Sequence, residues 1–94
     1  MSAFNFSTKP VKVKTLETNF RKIHTSIPVE GTESILKRLE KSESRSMHGQ
    51  LPLVWHKAKD FNVYDSAGNC WIDFTSTIFV TNVGHSNKKV IDAI

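Results

Sequence analysis

The feature that most constrains this chain is a block between positions 53 and 75 that is rich in strand-forming residues. Three of its segments have the length and side-chain alternation of a β-strand: 53–58, 62–65 and 70–75. The loop 66–69 joins the last two as a hairpin, because Gly68 or Asn69 can take a positive φ. The block therefore predicts a three-stranded antiparallel meander, which is about the minimum for a stable sheet.

Alternation along the third segment also predicts which side chains share a face. Cys70, Ile72 and Phe74 point one way, whereas Trp71, Asp73 and Thr75 point the other way. We expect the first group to form the apolar face of the meander.

An amphipathic helix is predicted before this block, over residues 32–43. Gly31 and Thr32 supply its start, with Thr32 as the N-cap. Its apolar stripe consists of Ile35, Leu36 and Leu39. The stripe predicts a helix that packs against a neighbour and carries no chemistry.

Two further segments have helical spacing. Apolar residues at positions 16, 20 and 23 suit one short helical face. Ser86 or Asn87 can cap a final helix that has no stop signal before Ile94. The second pattern predicts a chain that is truncated within a helix.

Positive charge is concentrated at the start of the chain. Residues 1–24 carry five Lys or Arg and one Glu, whereas residues 25–94 carry eight of each sign. With Pro10 interrupting any early helix, residues 1–31 are predicted to be a basic extended arm. One alternative function is therefore a small basic interaction module that binds nucleic acid or an anionic surface through residues 1–24. A solvated arm, or one that packs on another part of a larger protein, is the simpler interpretation.

The sequence does not support a multidomain protein, a disulfide-stabilised protein or a metal site. A chain of 94 residues fits one domain at most, with a modest core. The single Cys70 has no disulfide partner, and the four histidines lack metal-ligand spacing. They are His24, His48, His56 and His85. We therefore predict no metal ligand in this chain.

Membrane and export signals are also missing from the pattern. No apolar run approaches the roughly 18 residues that a membrane span needs. No apolar stretch follows Met1 as it does in a secretory signal. With a free thiol at Cys70, these observations lead us to expect a cytoplasmic protein with no membrane partner.

Five short elements follow one another in the second half of the chain. They are Val63-Tyr64-Asp65, Gly68, Trp71-Ile72-Asp73-Phe74, Asn82-x-Gly84-His85 and Val90-x-x-Ala93-Ile94. Together they resemble the amino-terminal part of class III (subgroup II) pyridoxal-phosphate-dependent aminotransferases, the group that includes 4-aminobutyrate and ornithine aminotransferases. The resemblance covers about residues 32–94. The family usually has a glycine near Thr77, and a His-Pro pair where this chain has Asn87-Lys88.

The resemblance implies an α+β fragment of a fold-type I pyridoxal-phosphate-dependent transferase. In it, the arm 1–31 and the amphipathic helix precede the three-stranded meander, and residues 32–94 form the amino-terminal part of the small domain. It further implies amino-group transfer from an amine or amino acid to a 2-oxo acid, in a homodimer without nucleic-acid partners.

The cofactor of the whole enzyme would be pyridoxal 5'-phosphate. In the family, the reactive lysine and the main phosphate-binding residues lie in a large domain outside this segment. We therefore expect the 94-residue chain alone to have no catalytic or cofactor-binding residues, to bind no cofactor and to be inactive. A piece that assembles with a separately encoded large domain is a further alternative.

The resemblance also suggests substrate contacts. In similar enzymes the stretch matching Ser76-Thr77-Ile78-Phe79 borders the substrate channel, so Ile78 and Phe79 are the candidate substrate-binding residues. Plain core packing is the alternative for both. Arg45 could bind a substrate carboxylate in a bidentate way, or be a solvated connector residue.

Four positions in the second half of the chain are expected to be structural. Gly84-His85 is predicted to fix a turn. Asp65 and Asp73 flank the hairpin and are predicted to be exposed residues at strand ends, not an acid/base pair.

Overall fold

A computed structural model describes residues 6–47 and 50–94 of the chain. Residues 6–13, 25–47 and 50–54 form one compact unit, here called the helical unit. Residues 14–24 and 55–94 form a second, the sheet unit. The chain combines helices with an antiparallel sheet, which confirms the predicted α+β class.

The main element of the helical unit is the helix Thr32–Ser42, close to its predicted bounds. The N-cap is Gly31, with a φ of 89° and no side-chain cap. Thr32 is instead the first helical residue, is 4% exposed, and donates its N–H to Val29 O at 3.1 Å. The prediction of Thr32 as the N-cap is therefore wrong, because the left-handed Gly31 makes the turn into the helix.

The remainder of the helical unit contains short extended and turn segments. Val11 and Ile27 exchange two backbone hydrogen bonds of 2.9 and 3.0 Å. The Thr8 hydroxyl lies 3.3 Å from Glu33 Oε1. Part of the segment predicted as an arm is thus paired with other residues of its own unit. A 3₁₀ turn, Arg45–Met47, follows the helix.

The sheet unit is built on an antiparallel sheet that has five strands within the described residues. The strands are β1 (Leu16–Glu17), β2 (Lys22–Ile23), β3 (Lys57–Lys59), β4 (Asn62–Tyr64) and β5 (Cys70–Ile72). Their spatial order is β1-β2-β5-β4-β3. The predicted antiparallel meander β3-β4-β5 is present, but its first strand begins at Lys57 and not at position 53 as predicted. Residues from the predicted arm add two strands beside β5.

The β1-β2 hairpin replaces the short helix that positions 16, 20 and 23 suggested. The Thr18 hydroxyl accepts hydrogen bonds from the N–H groups of Phe20 and Arg21 at 3.3 and 3.0 Å. Thr18 N also donates to Arg21 O at 2.8 Å. These local bonds stabilise a turn in place of a helix. Pairing of Lys22 with Cys70 then fixes the hairpin to the sheet.

The most buried face of the sheet is not the predicted one. Ile23 and Val63 are 7% and 3% exposed, and Trp71 lies directly opposite Val63 in the β4-β5 register. Phe74, by contrast, is 88% exposed. The expected apolar face of Cys70, Ile72 and Phe74 is therefore wrong, because the strand ends at Ile72 and Trp71 shares its face with the buried Val63.

The loop between β4 and β5 is closed by two buried polar side chains. Asp65 and Asn69 are 3% and 0% exposed. Asp65 accepts hydrogen bonds from Asn69 N and Asn69 Nδ2 at 3.0 and 2.9 Å, and Asn69 Oδ1 accepts one from His24 N at 2.8 Å. The positive φ predicted for this loop is found at Gly68, at 84°. Asp65 is thus not the exposed residue that the sequence suggested.

The last helix, Lys88–Ala93, begins where the sequence predicted. Asn87 is its N-cap, and its Oδ1 accepts a hydrogen bond from Val90 N at 3.3 Å. Among the described residues, no helix is both long and apolar enough to cross a bilayer.

Candidate functional site

The segment Ser76–Phe79 is a single helical turn of left-handed sense. Its four residues have φ values of 49°, 52°, 58° and 71°. Phe79 N donates to Thr75 O, and Val80 N to Ser76 O, both at 2.9 Å. Left-handed backbone costs a non-glycine residue about 1–2 kcal/mol. A turn of this kind needs stabilising contacts from its surroundings.

The Asp73 carboxylate supplies such contacts. Its Oδ1 accepts hydrogen bonds from Thr75 N at 3.0 Å and Thr75 Oγ1 at 3.1 Å. Its Oδ2 accepts from Thr77 N at 3.1 Å and Thr77 Oγ1 at 3.3 Å. His85 Nε2 lies 2.8 Å from the same Oδ2. One carboxylate thus joins the end of β5, the left-handed turn and the loop before the last helix.

Burial strengthens this arrangement. The side chains of His85 and Asp73 are 11% and 3% exposed. Burial by itself would raise the pKa of Asp73, but hydrogen bonds from His85, Thr75 and Thr77 favour the ionised form. The net result is a pKa below the ordinary aspartate value. Asp73 is therefore a buried carboxylate that remains ionised, not the exposed residue predicted from sequence.

The position of His85 is set by its backbone. Asp60 N donates to His85 O at 2.9 Å, and His85 N donates to Asp60 O at 2.7 Å. Gly84 has a φ of 86°, and a Cβ there would lie 3.2 Å from Asp60 Cα. The Trp55 ring meets the His85 ring edge-on, with centroids 5.7 Å apart. Gly84 N closes a turn by donating to Thr81 O at 3.0 Å, whereas His85 forms an isolated bridge with Asp60 and contacts Asp73.

A cavity of about 280 Å³ opens beside this group of residues. It is lined by Asp60, Phe61, Asp73, Ser76, Thr81, Val83 and Gly84. Its walls therefore combine two carboxylates and a hydroxyl-bearing turn with apolar side chains.

The two predicted substrate-binding residues lie on the left-handed turn. Ile78 and Phe79 are 69% and 80% exposed, so in this chain they are surface residues and not core residues. Nearby in sequence, Phe74, Val80 and Val83 are also exposed large apolar residues. Arg45 is exposed in the helical unit, where it forms part of the 3₁₀ turn.

Sequence reasoning missed the contact between Asp73 and His85. Both residues were already part of the ordered elements, in Trp71-Ile72-Asp73-Phe74 and Asn82-x-Gly84-His85. A strand followed directly by an aspartate, and later by a glycine-histidine pair, is the signal that could have suggested it. Spacing alone could not place the two side chains together, because twelve positions separate them.

No lysine of this chain has the environment that a cofactor-binding lysine needs. A lysine that forms a Schiff base must be desolvated or placed near positive charge to be nucleophilic at neutral pH. All ten lysines lie in the described ranges and are exposed. The residues present therefore do not fit pyridoxal phosphate as a covalently held cofactor.

The described residues also contain no cluster of metal-ligating side chains. Across residues 6–47 and 50–94, no three His, Cys, Asp or Glu side chains come together as a metal site. His48, one of the four histidines that lack metal-ligand spacing, lies outside these ranges.

No protein-family model matches the chain. Individual curated proteins do. The acetylornithine aminotransferase of Methanocaldococcus jannaschii is 43% identical over 56 residues, which cover 60% of this chain and 14% of that protein. The ornithine aminotransferase of Saccharomyces cerevisiae is 36% identical over 67 residues, covering 69% of this chain and 16% of the relative.

A leucine/methionine racemase of Thermococcus litoralis is also similar. It is 49% identical over 43 residues, covering 46% of this chain and 10% of the racemase. The chain therefore spans only about one seventh of the length of the aminotransferases that it matches. Sequence similarity thus shows that this chain is homologous, over part of its length, to the class III aminotransferases.

Proposed function

We propose that this chain is the amino-terminal segment of a longer pyridoxal-phosphate-dependent aminotransferase. The whole protein would transfer an amino group from an amine or amino acid to a 2-oxo acid. The observation that carries the proposal is similarity to aminotransferases whose names give different amino donors, among them acetylornithine and ornithine. What they have in common is amino transfer, so that is the activity proposed.

The segment itself would contribute substrate shape rather than chemistry. Ile78 and Phe79 are exposed apolar side chains on a turn that many hydrogen bonds hold. Such side chains can form one wall of a pocket and favour substrates with a matching apolar stem. The proposed role of Ile78 and Phe79 is therefore to contact the carbon chain of the amino donor or acceptor.

The reacting groups would come from outside these 94 residues. Because all ten lysines are exposed, the lysine that holds the cofactor would lie in another part of the protein. Pyridoxal phosphate would supply the electron sink for amino transfer. A homodimer and a fold-type I large domain belong to the same proposal.

Similarity to the racemase indicates that this segment does not determine the type of reaction. A similar segment occurs in a protein named for racemisation and in proteins named for amino transfer. Residues elsewhere in each protein would therefore determine whether it catalyses racemisation or amino transfer. The proposed assignment to amino transfer rests on the aminotransferases in the comparison.

The basic interaction module is not favoured. Its support was the charge of residues 1–24, but the comparisons give aminotransferases instead. In addition, Leu16–Glu17 and Lys22–Ile23 are strands of the sheet and not part of a free arm.

The proposal is tested by expressing the reading frame that contains this segment together with any downstream continuation. The purified product is assayed with pyridoxal phosphate for amino transfer from ornithine, acetylornithine and 4-aminobutyrate to 2-oxoglutarate. We expect turnover with at least one donor, and none from the 94-residue chain alone. Turnover by the isolated chain, or no transfer by the longer product with any donor, would contradict the proposal.

The proposed contact between Phe79 and the substrate is tested separately. In the active longer product, Phe79→Ala should raise KM for long-chain donors more than for short ones, because the lost contact is with the carbon chain. Val80→Ala is the control, since Val80 is equally apolar and 71% exposed but lies just beyond the turn. Equal effects of both variants on all donors would remove Phe79 from the site.

A further inference from the structure

The left-handed turn Ser76–Phe79 is the most unusual backbone in the sheet unit. Four successive non-glycine residues have positive φ, and L-amino acids adopt this conformation as single residues far more readily than in series. The turn closes its own hydrogen bonds from Phe79 N and Val80 N. Those bonds could equally be formed by a right-handed turn, so they do not explain the handedness.

The Asp73 carboxylate contacts the turn from outside it. Asp73 Oδ2 accepts hydrogen bonds from both the N–H and the hydroxyl of Thr77, the second residue of the turn. Asp73 Oδ1 holds Thr75, the residue just before the turn, in the same two ways. The carboxylate therefore fixes the backbone direction on both sides of Ser76.

Asp73 is itself held in place. His85 Nε2 lies 2.8 Å from Asp73 Oδ2, and the His85 backbone is tied to Asp60 by two hydrogen bonds. Asp73 N also donates to Phe61 O at 2.8 Å. Thus the carboxylate that contacts the turn is anchored to the β3-β4 region through both its side chain and its backbone.

We infer that Asp73 is a positioning residue, whose carboxylate, braced by His85, holds residues 76–79 in the left-handed turn and so sets the direction in which Ile78 and Phe79 project. The importance of that direction for substrates rests on the proposed function. The control of the turn by Asp73 does not, because it follows from contacts within this chain.

The inference is tested by NMR on the 94-residue chain. One-bond Cα–Hα couplings and short-range amide-to-α NOEs distinguish positive from negative φ at residues 76–79. Asp73→Asn keeps the shape of the side chain, but its single acceptor oxygen cannot accept from both Thr75 N and Thr77 N, which bind separate oxygens of Asp73. We expect this variant to lose positive φ at Thr77 and Ile78, while the β4-β5 cross-strand NOEs remain.

The matched control is Asp92→Asn, an exposed carboxylate on the last helix paired with Lys88. We expect it to leave the couplings of residues 76–79 unchanged. Retention of positive φ in Asp73→Asn with an intact sheet would overturn the inference. Loss of the sheet together with the turn would also count against it, since the role assigned to Asp73 is local.

A milder variant separates local positioning from general stability. Thr77→Val keeps the branched shape and the backbone N–H but removes the hydroxyl that donates to Asp73. We expect it to shift the averaged couplings at residues 76–79 partway toward negative φ, and unchanged couplings would contradict the inference. If these results hold but the longer product shows no amino transfer, the proposed function fails while Asp73 still positions the turn.

Discussion

His85 Nε2 lies 2.8 Å from Asp73 Oδ2, and both side chains are almost wholly buried. The contact joins the end of β5 to the loop before the last helix. It also connects a carboxylate that holds the left-handed turn to a backbone paired with Asp60. A buried polar group of this kind is stabilising only while each partner keeps its hydrogen bonds.

The first prediction concerns acid pH. The pKa of Asp73 is lowered in the folded chain, so its ionised form is bound more favourably in the folded than in the unfolded state. Its contribution to stability is therefore present above the ordinary aspartate pKa of 3.8 and is lost as the pH falls through the lower folded value. Thermal unfolding measured at several pH values should show a steeper acid decline for the native chain than for Asp73→Asn.

The other carboxylates contribute to the native decline as well, so the readout is the difference between the two curves. Asp92→Asn is the control, because an exposed ion pair contributes little to stability. Its curve should follow that of the native chain. Parallel curves for Asp73→Asn and the native chain would show that Asp73 has no part in the acid decline.

The second prediction concerns the backbone at Thr77, whose φ is 52°. Thr77→Gly and Thr77→Ala both remove the hydroxyl, so they differ mainly in the tolerance of a positive φ. We expect the glycine variant to be more stable by about 1 kcal/mol, because glycine adopts left-handed backbone without steric cost. Urea unfolding of the two variants measures the difference.

Ser34 provides the opposite case. It is exposed within the right-handed helix Thr32–Ser42. There, Ser34→Ala should be more stable than Ser34→Gly by about 1 kcal/mol. If alanine were also preferred at position 77, the backbone of that residue would not be left-handed in solution.

The third prediction compares two glycines of similar φ. Gly84 and Gly68 have φ values of 86° and 84°. A Cβ at Gly84 would lie 3.2 Å from Asp60 Cα, whereas at Gly68 the nearest atom is His24 Cε1 at 3.8 Å. Gly84→Ala should therefore cost about 2 kcal/mol or more, and Gly68→Ala about 1 kcal/mol. Chemical denaturation decides this, and an equal loss at both positions would refute close packing at Gly84.

The fourth prediction concerns Asn69, which is fully buried. Its side chain donates to Asp65 and accepts from His24 N, linking the β4-β5 loop to the β1-β2 hairpin. Asn69→Ala should lower the free energy of unfolding by about 2–4 kcal/mol, because the buried Asp65 carboxylate and His24 N both lose a hydrogen bond. The exposed Asn82 is the control, and Asn82→Ala should change stability by less than about 0.5 kcal/mol. Comparable losses for the two variants would be inconsistent with the role given to Asn69.

Local sequence determined the helices and the hairpin that depend on residues close together in the chain. The helix Thr32–Ser42 follows from apolar residues at helical spacing after Gly31. The β4-β5 hairpin follows from a strand pattern on both sides of Gly68, and the last helix from Asn87 as its cap. The ordered motifs between residues 63 and 94 also indicated the aminotransferase resemblance, which the comparisons support.

Tertiary structure decided everything that depends on pairing between distant residues. Leu16, Phe20 and Ile23 have helical spacing, yet residues 22–23 form strand β2. This strand pairs with β5, where Lys22 lies opposite Cys70, 48 positions further along the chain. Asp73 looks exposed in sequence, yet it is buried because His85, Thr75 and Thr77 satisfy its carboxylate. Spacing along a chain records local backbone preference, whereas burial of a charge depends on which partners folding brings within hydrogen-bond distance.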